Sequence, residues 1–248
     1  VLDLSRDTYN DAVQAYFHKC VGGYHPAKME IYQDLIDRQL SRGFNSQVLN
    51  MLNTKYIIVG GQKSAPGVIP NKTACGNAWF VDEVKWANTA DEEMESLNAQ
   101  KLGDTTIIPN AFDPKKTAVM RSTFKSDLGT APFGKDSAAY VKLDKYGLDD
   151  ISFVSQNGKE GLAVFSDIYY SKGWKAFVDG KETPIMKANY VLRAIRIPAG
   201  SHKIEFHFRP ESFYTGKKIG MVSGILLILL CLAAFYPLFK KSETPAGS

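Results

Sequence analysis

Hydrophobic positions recur along this chain with three different periods, and the changes of period divide it. Over about the first ninety residues the pattern is mixed. Asp7 to Lys19 predicts a helix that breaks at Gly22-Gly23. Pro26 suits the first turn of a second helix, with Met29, Tyr32, Ile36 and Leu40 as its apolar stripe. Asp34 and Arg38 make an i,i+4 pair on the wet side, and Gly43 is placed to end the helix. A short helix over Ser46–Leu52 leads into Lys55–Val59, an apolar β-branched run bounded by Gly60-Gly61. Lys63 to Asn77, rich in Pro, Gly, Ser and Asn, reads as loop. Trp79 to Trp86 predicts a second strand. Thr89, followed three residues later by Glu92, predicts a capping box and a helix to about Asn98.

From Thr117 the period becomes two. Strands are predicted at Thr117–Ser122, Ala139–Lys145, Ile151–Ser155, Leu162–Ile168, Lys175–Val178, Glu182–Lys187, Val191–Ile197 and His202–Arg209. Turn signals separate them at Asn157-Gly158, Asp179-Gly180 and Ala199-Gly200. The last strand alternates cleanly. Ile204, Phe206 and Phe208 share one face, while Lys203, Glu205, His207 and Arg209 share the other, as in a half-solvated sheet. So many short strands at close spacing predict a mainly antiparallel β-sandwich or jelly-roll-like module.

The third period is no period at all. Ile219 to Phe239 is an uncharged, almost wholly apolar run of 21 residues. At ~1.5 Å per residue it spans about 30 Å as a helix, the thickness of a bilayer's hydrocarbon core. The expected organisation is therefore an α+β region (1–112), an antiparallel β-sandwich-like module (113–213), a transmembrane helix (219–239) and a short tail (240–248). Gly220 and Gly224 form a GxxxG pair, which lets a neighbouring helix approach closely.

Composition hides this division. The 248 residues are 44% hydrophobic, and the mean hydropathy of −0.20 excludes a wholly membrane-embedded chain. A net charge of +4 is too small for a nucleic-acid groove, so no nucleic-acid partner is expected. Cys20, Cys75 and Cys231 are odd in number and scattered, which gives no disulfide framework, although a Cys20–Cys75 bridge is open in an oxidising compartment. The chain begins at Val1 without a basic and apolar leader. It reads either as a tail-anchored protein with a cytosolic domain or as the C-terminal piece of a longer membrane protein, and the missing methionine favours the second. Lys217-Lys218 before the span and Lys240-Lys241 after it leave its orientation tied.

Chemistry-bearing patterns are few. Gly129 to Ser137 imitates a phosphate-binding loop but has Asp136 where a metal-binding hydroxyl is needed, so it reads as a plain loop. His18, Cys20 and His25 fall short of a metal set, and no metal or other cofactor is expected. The acidic run Asp91, Glu92, Glu93 and Glu95 reads as a solvated first helical turn. There is no GxSxG elbow, HExxH or dinucleotide fingerprint, so no catalytic residue is assigned. Two groups stand out as binding candidates. Tyr24, His25 and Lys28 follow a double glycine on a turn, beside backbone N–H groups that could hold an anion or a sugar. Tyr169, Tyr170, Trp174, Tyr190 and Arg193 gather aromatic faces, which suit sugar C–H surfaces or simply fill a core. Arg193 shares strand parity with Val191, Ile195 and Ile197, so it is expected to face inward. There it needs Asp167, Asp179 or Glu205 as a partner, or a ligand.

The stretch VFSDIYYSKGWKAFVDGKETPIMKANYVLRAIRIPAGSHKIEFHFRPESFYTGKKI, running into the span, resembles the C-terminal signature of the YfhO family of bacterial membrane proteins. YFHKCVGGYHPAKMEIYQDLI, VLNMLNTKYIIV, GNAWFVDEVKW and FDPKKTAVM resemble the same family, most closely its Bacteroidetes-type members. Tyr170-Ser171-Lys172-Gly173-Trp174 departs from the family's tighter Tyr-Pro-Gly-Trp turn. The resemblance implies a multi-span, GT-C-type glycosyltransferase that uses lipid-phosphate-linked sugars to decorate envelope polymers. Its catalytic carboxylates are expected in an early loop that this chain does not contain. This chain would then supply an extracytoplasmic domain and a final span in the bacterial inner membrane, with its tail in the cytoplasm. The implied partners are membrane lipid, an envelope glycan or lipid-phosphate-linked sugar, and the upstream transmembrane bundle. Tyr24, His25, Lys28, Tyr170, Trp174, Tyr190 and Arg193 are the substrate-binding candidates. A non-catalytic structural or protein-interaction module is the alternative.

Overall fold

Alternating burial organises the computed structural model, which describes residues 1–60 and 65–240. Gly61 at the end of the expected strand, Lys63 and Ser64 of the expected loop, and the tail from Lys241 lie outside the described residues. The chain opens with β1 (Leu2–Asp3), followed by α1 (Val13–Phe17), α2 (Glu30–Leu35) and α3 (Ser46–Met51). Helix α2 continues directly into a π-helical turn at Ile36–Leu40. Next come β2 (Tyr56–Val59) and β3 (Gly67–Pro70), with β2 parallel to β1 and antiparallel to β3.

Three expectations fail in this region for local reasons. The helix expected over Asp7 to Lys19 shrinks to α1 because two aspartates bind backbone instead. Asp7 accepts from the Tyr9 and Asn10 N–H groups and Asp11 from that of Val13, which fixes turns in place of helix. Pro26 closes a turn, and the helix begins only at Glu30. Part of the expected loop before Asn77 is β3, paired along its length with β2.

Strands β4 (Ala78–Val81) and β5 (Glu83–Ala87) divide the single strand expected at Trp79–Trp86. After them come α4 (Ala90–Glu95), β6 (Thr117–Arg121) and α5 (Lys125–Leu128). The remaining strands are β7 (Tyr140–Tyr146), β8 (Asp150–Asn157), β9 (Gly161–Ile168), β10 (Trp174–Val178), β11 (Lys181–Thr183), β12 (Met186–Ala188), β13 (Leu192–Ile197) and β14 (Gly200–Phe208). They form two sheets, with strand orders β11-β10-β14-β8-β7 and β4-β9-β13-β12-β6-β5. All pairs are antiparallel except β5 with β6. Only Asp82 separates β4 from β5, yet these strands are opposite edges of the six-stranded sheet. That sheet therefore curls until its edges meet at Asp82. The strand expected at Glu182–Lys187 breaks at Pro184, which cannot donate to a ladder, and β11 and β12 fall in different sheets.

The two sheets enclose an apolar core in which Phe153, Phe165 and Phe206 meet edge to face, with ring centroids 4.9–6.1 Å apart. The other face of the curled sheet carries Leu162, Val164, Leu192 and Ala194. It packs against Leu35, Ile36, Leu40, Leu49 and Met94 of the helical region. The architecture is an α+β layer on an antiparallel sandwich, as the alternation predicted. The phosphate-loop imitation is indeed structural, because Lys135 donates to the Lys115 carbonyl and pairs with Asp82 at 3.1 Å. Cys20 and Cys75 are free thiols, and burial pushes that of Cys75 up to about 12.

The capping box at Thr89 forms, with its hydroxyl accepting from the Glu92 N–H and Glu92 accepting from the Asn88 N–H. The acidic turn is not wholly solvated, however. Glu93 is fully buried and pairs with Lys187 of β12 at 3.0 Å, because its side of α4 faces the curled sheet.

Pro210 leads from β14 into α6 (Glu211–Lys240), whose described apolar side chains are exposed along its length. Glu211–Tyr236 is long and apolar enough to cross a membrane. The helix starts eight residues before the expected Ile219. Its thirty residues make about 45 Å at ~1.5 Å each, more than a hydrocarbon core requires. The extra turns carry Phe213, Tyr214, Lys217 and Lys218, the aromatic and basic makeup of a membrane interface.

Candidate functional site

A bulge lies beside the buried Arg193. Strand β13 pairs with β9 in regular register from Ile197↔Gly161 to Arg193↔Phe165, then shifts so that Leu192 faces Ile168. Ser166 and Asp167 are left without opposite residues. A bulge of this kind bends its strand and re-aims the side chains beside it. The Ser166 hydroxyl lies 2.9 Å from the Met51 carbonyl oxygen and 2.7 Å from that of Gly76, which ties the bulge to the helical layer. Asp167 faces a cleft of about 520 Å³ together with Arg193, Tyr146, Lys19, Asn53 and Asn77.

Arg193 is 5% exposed, as its strand parity implied. Its guanidinium carbon sits 4.1 Å from the centroid of Trp174 on β10 and 5.6 Å from that of Phe206, so aromatic faces replace part of its water. Nε donates to the Ile168 carbonyl at 3.1 Å. Nη1 is buried without a hydrogen-bond partner among the described residues. The expected carboxylates do not close this gap. Asp179 accepts from the Lys203 N–H and pairs with His202, and Glu205 pairs with Lys203 at 2.9 Å. Asp167 accepts from the Tyr146 hydroxyl at 3.0 Å and acts on Arg193 only through space. Burial lowers the Arg193 pKa and Asp167 opposes that shift. Arginine nevertheless stays charged. Burial, then Asp167, push the Tyr146 phenol up to about 12, so it remains a donor at neutral pH.

The cleft also holds an acceptor in need of a donor. Asn53 has a left-handed φ of 53°, and its Oδ1 is buried without a partner among the described residues. Lys19 Nζ lies 3.5 Å over the Tyr146 ring. The cleft thus offers a cation fork, a carboxylate, an amide and an aromatic ring. A polyhydroxylated ligand could use all of them, since each hydroxyl both donates and accepts.

Of the residues singled out in the sequence, Arg193 and Trp174 come together. Trp174 is half-buried and also lines a groove at the root of α6 with Lys172, Arg209 and Ser212. Tyr170 lies across Phe208 from Trp174, with ring centroids 6.5 and 5.2 Å from that of Phe208. Tyr190 sits elsewhere, 8% exposed, with its hydroxyl donating to Asp34 at 3.0 Å. Tyr24, His25 and Lys28 occupy an outer turn in which His25 Nδ1 accepts from the Ala27 N–H, and they do not line the cleft. Tyr146, Lys19 and Asn53 escape sequence reasoning because they arrive from distant segments. Asp167 left one trace: Ser166-Asp167 interrupts the apolar run of β9.

Fold, cleft and exposed apolar helix together define a membrane-anchored β-sandwich domain with a polar cleft close to the root of its anchor. Residues 140–220, from β7 into α6, match the family model described as bacterial membrane protein YfhO. No curated protein and no solved structure matches it. The matched residues include Tyr146, Asp167, Tyr170, Trp174, Tyr190 and Arg193.

Proposed function

We propose that this chain is the extracytoplasmic domain and membrane anchor of a YfhO-like envelope glycosyltransferase. In this reading it binds or orients a glycan acceptor or a lipid-linked sugar over a catalytic site made elsewhere in the protein. The observation that carries the reading is the buried Arg193, stacked on Trp174 and short of a partner in a polar cleft. Trp174 also lines the groove where α6 begins, which puts the site within reach of a lipid-borne head group. The same reading assigns the chain to the bacterial inner membrane with its domain outside.

Trp174→Ala and Arg193→Lys, made in the protein in its own membrane, are each expected to lower sugar transfer about tenfold or more, as for truncated binding anchors. Membrane content of both variants should match the wild type by immunoblot. Transfer at wild-type rate in both would refute the reading. The alternative of a structural or protein-interaction module draws support from Tyr190, an aromatic candidate that the fold uses as a strut, with its hydroxyl on Asp34 and its N–H on Glu93. It predicts that both variants transfer normally. Protease added outside spheroplasts should cut the domain, and protection there would contradict the extracytoplasmic placement.

A further inference from the structure

We infer that the Arg193 cleft is a site for an oxyanion, a carboxylate or phosphate carried by a sugar, rather than for a neutral glycan. This rests on the glycan reading above and narrows its ligand. The argument is one of charge. Arg193 is 95% removed from solvent, yet among the described residues its guanidinium meets one neutral carbonyl and two aromatic faces, with no carboxylate within ion-pair distance. An unpaired buried cation is costly, and a protein keeps one where something supplies the missing anion. Lys19 adds a second positive charge at the cleft wall and Asp167 a single negative one, so cations exceed anions among the lining side chains named here.

Geometry favours an oxyanion over a hydroxyl in the same place. A guanidinium presents parallel N–H groups that match two oxygens of a carboxylate or phosphate, and such charge-assisted bonds are roughly twice as strong as neutral ones. The guanidinium carbon lies over the Trp174 and Phe206 rings and Nε is held by the Ile168 carbonyl, so the fork's orientation is set before a ligand arrives. Asp167 accepts from the Tyr146 hydroxyl and makes no hydrogen bond to Arg193, whose Nη1 is left without a partner among the described residues. Asn53 Oδ1 remains as an acceptor for a hydroxyl of the same sugar.

The test uses the whole chain in phosphatidylcholine nanodiscs, with arginine side-chain N–H resonances and calorimetry as readouts. The probes are D-glucuronate, glucose 1-phosphate, glucose and inorganic phosphate. Glucuronate and glucose 1-phosphate should bind at least about tenfold more tightly than glucose and shift the Arg193 Nη–H signals, as expected for hydrogen bonds to a charged group. Arg193→Lys should lose about tenfold or more, because it keeps the charge and loses the fork. Asp167→Asn leaves Arg193 in place and should tighten anion binding, which serves if Arg193→Lys does not fold. Glucose binding as tightly as its anionic forms, with Arg193 needed, would overturn this inference and leave the glycan reading standing. Inorganic phosphate binding as tightly as glucose 1-phosphate would keep the oxyanion site and remove the sugar. If no anion binds, or if anions bind Arg193→Lys as tightly as the wild type, the inference fails.

Discussion

A Lys187→Met protein is expected to be about 3–5 kcal/mol less stable than the wild type at neutral pH, and to recover as the pH falls. Glu93 on α4 is fully buried, and its Oε2 receives Lys187 from β12 at 3.0 Å while its Oε1 accepts the Tyr190 N–H at 3.0 Å. The Tyr190 hydroxyl continues the network to Asp34 on α2. Removing the ammonium leaves a carboxylate in an apolar layer with no countercharge in contact, which is the costly half of a buried pair. Burial already raises the Glu93 pKa above its ordinary 4.5, and Lys187 is the main influence holding it down. Without Lys187 it rises further. A carboxyl with a raised folded pKa contributes stability that is fully present below the unfolded value and is lost as pH rises through the folded value. The penalty should therefore grow as the pH rises towards and past neutrality and shrink towards about pH 4.5. Denaturant midpoints of both proteins across this range provide the check, with Lys187→Met/Glu93→Gln as the control that recovers most of the loss. A pH-independent penalty would show that Glu93 is not the group left stranded.

The sheets and the anchor were legible because each is written by a single dominant rule. In β14, Ile204 and Phe206 are buried and Lys203 is exposed, so alternation suffices. In α6 no charge interrupts Ile219 to Phe239, and no tertiary partner is needed to recognise it. The failures occur where a short side chain or a long-range neighbour overrides the local pattern. Asp7 and Asp11 take backbone N–H groups from a helix that the apolar spacing supported. Asp82 turns one predicted strand into two sheet edges, a consequence of pairing with segments more than thirty residues away. Glu93 looked solvated because its countercharge lies 94 residues on.

The candidate site follows the same division. Arg193 could be placed inward from parity and Trp174 flagged as an aromatic, but their contact joins two different sheets. The bulge that frees Asp167 appears only once β9 is set against β13. Lys19 and Asn53 come from the helical layer, and no periodicity in either segment points towards Arg193. A cleft between layers is a product of docking, so its residues share no sequence pattern.

Phe206→Ala is expected to cost about 3–5 kcal/mol in stability and to weaken ligand binding at Arg193 as well, whereas Phe153→Ala should carry only the first effect. Both rings are fully buried in the aromatic trio between the sheets, so each truncation removes apolar contact and leaves a cavity that close-packed neighbours fill only partly. The Phe206 ring centroid also lies 5.6 Å from the Arg193 guanidinium carbon, beside that of Trp174 at 4.1 Å, and helps to hold the fork in one orientation. Phe153 touches Phe165 and Phe206 but makes no such contact with Arg193. Thermal denaturation should therefore rank the two variants together, and glucuronate binding at a temperature where both are folded should separate them. Equal binding by the two would mean that Trp174 alone positions the guanidinium. Weaker binding only in Phe206→Ala would show that the sandwich core and the cleft share one residue, with the core's packing setting the geometry of the site.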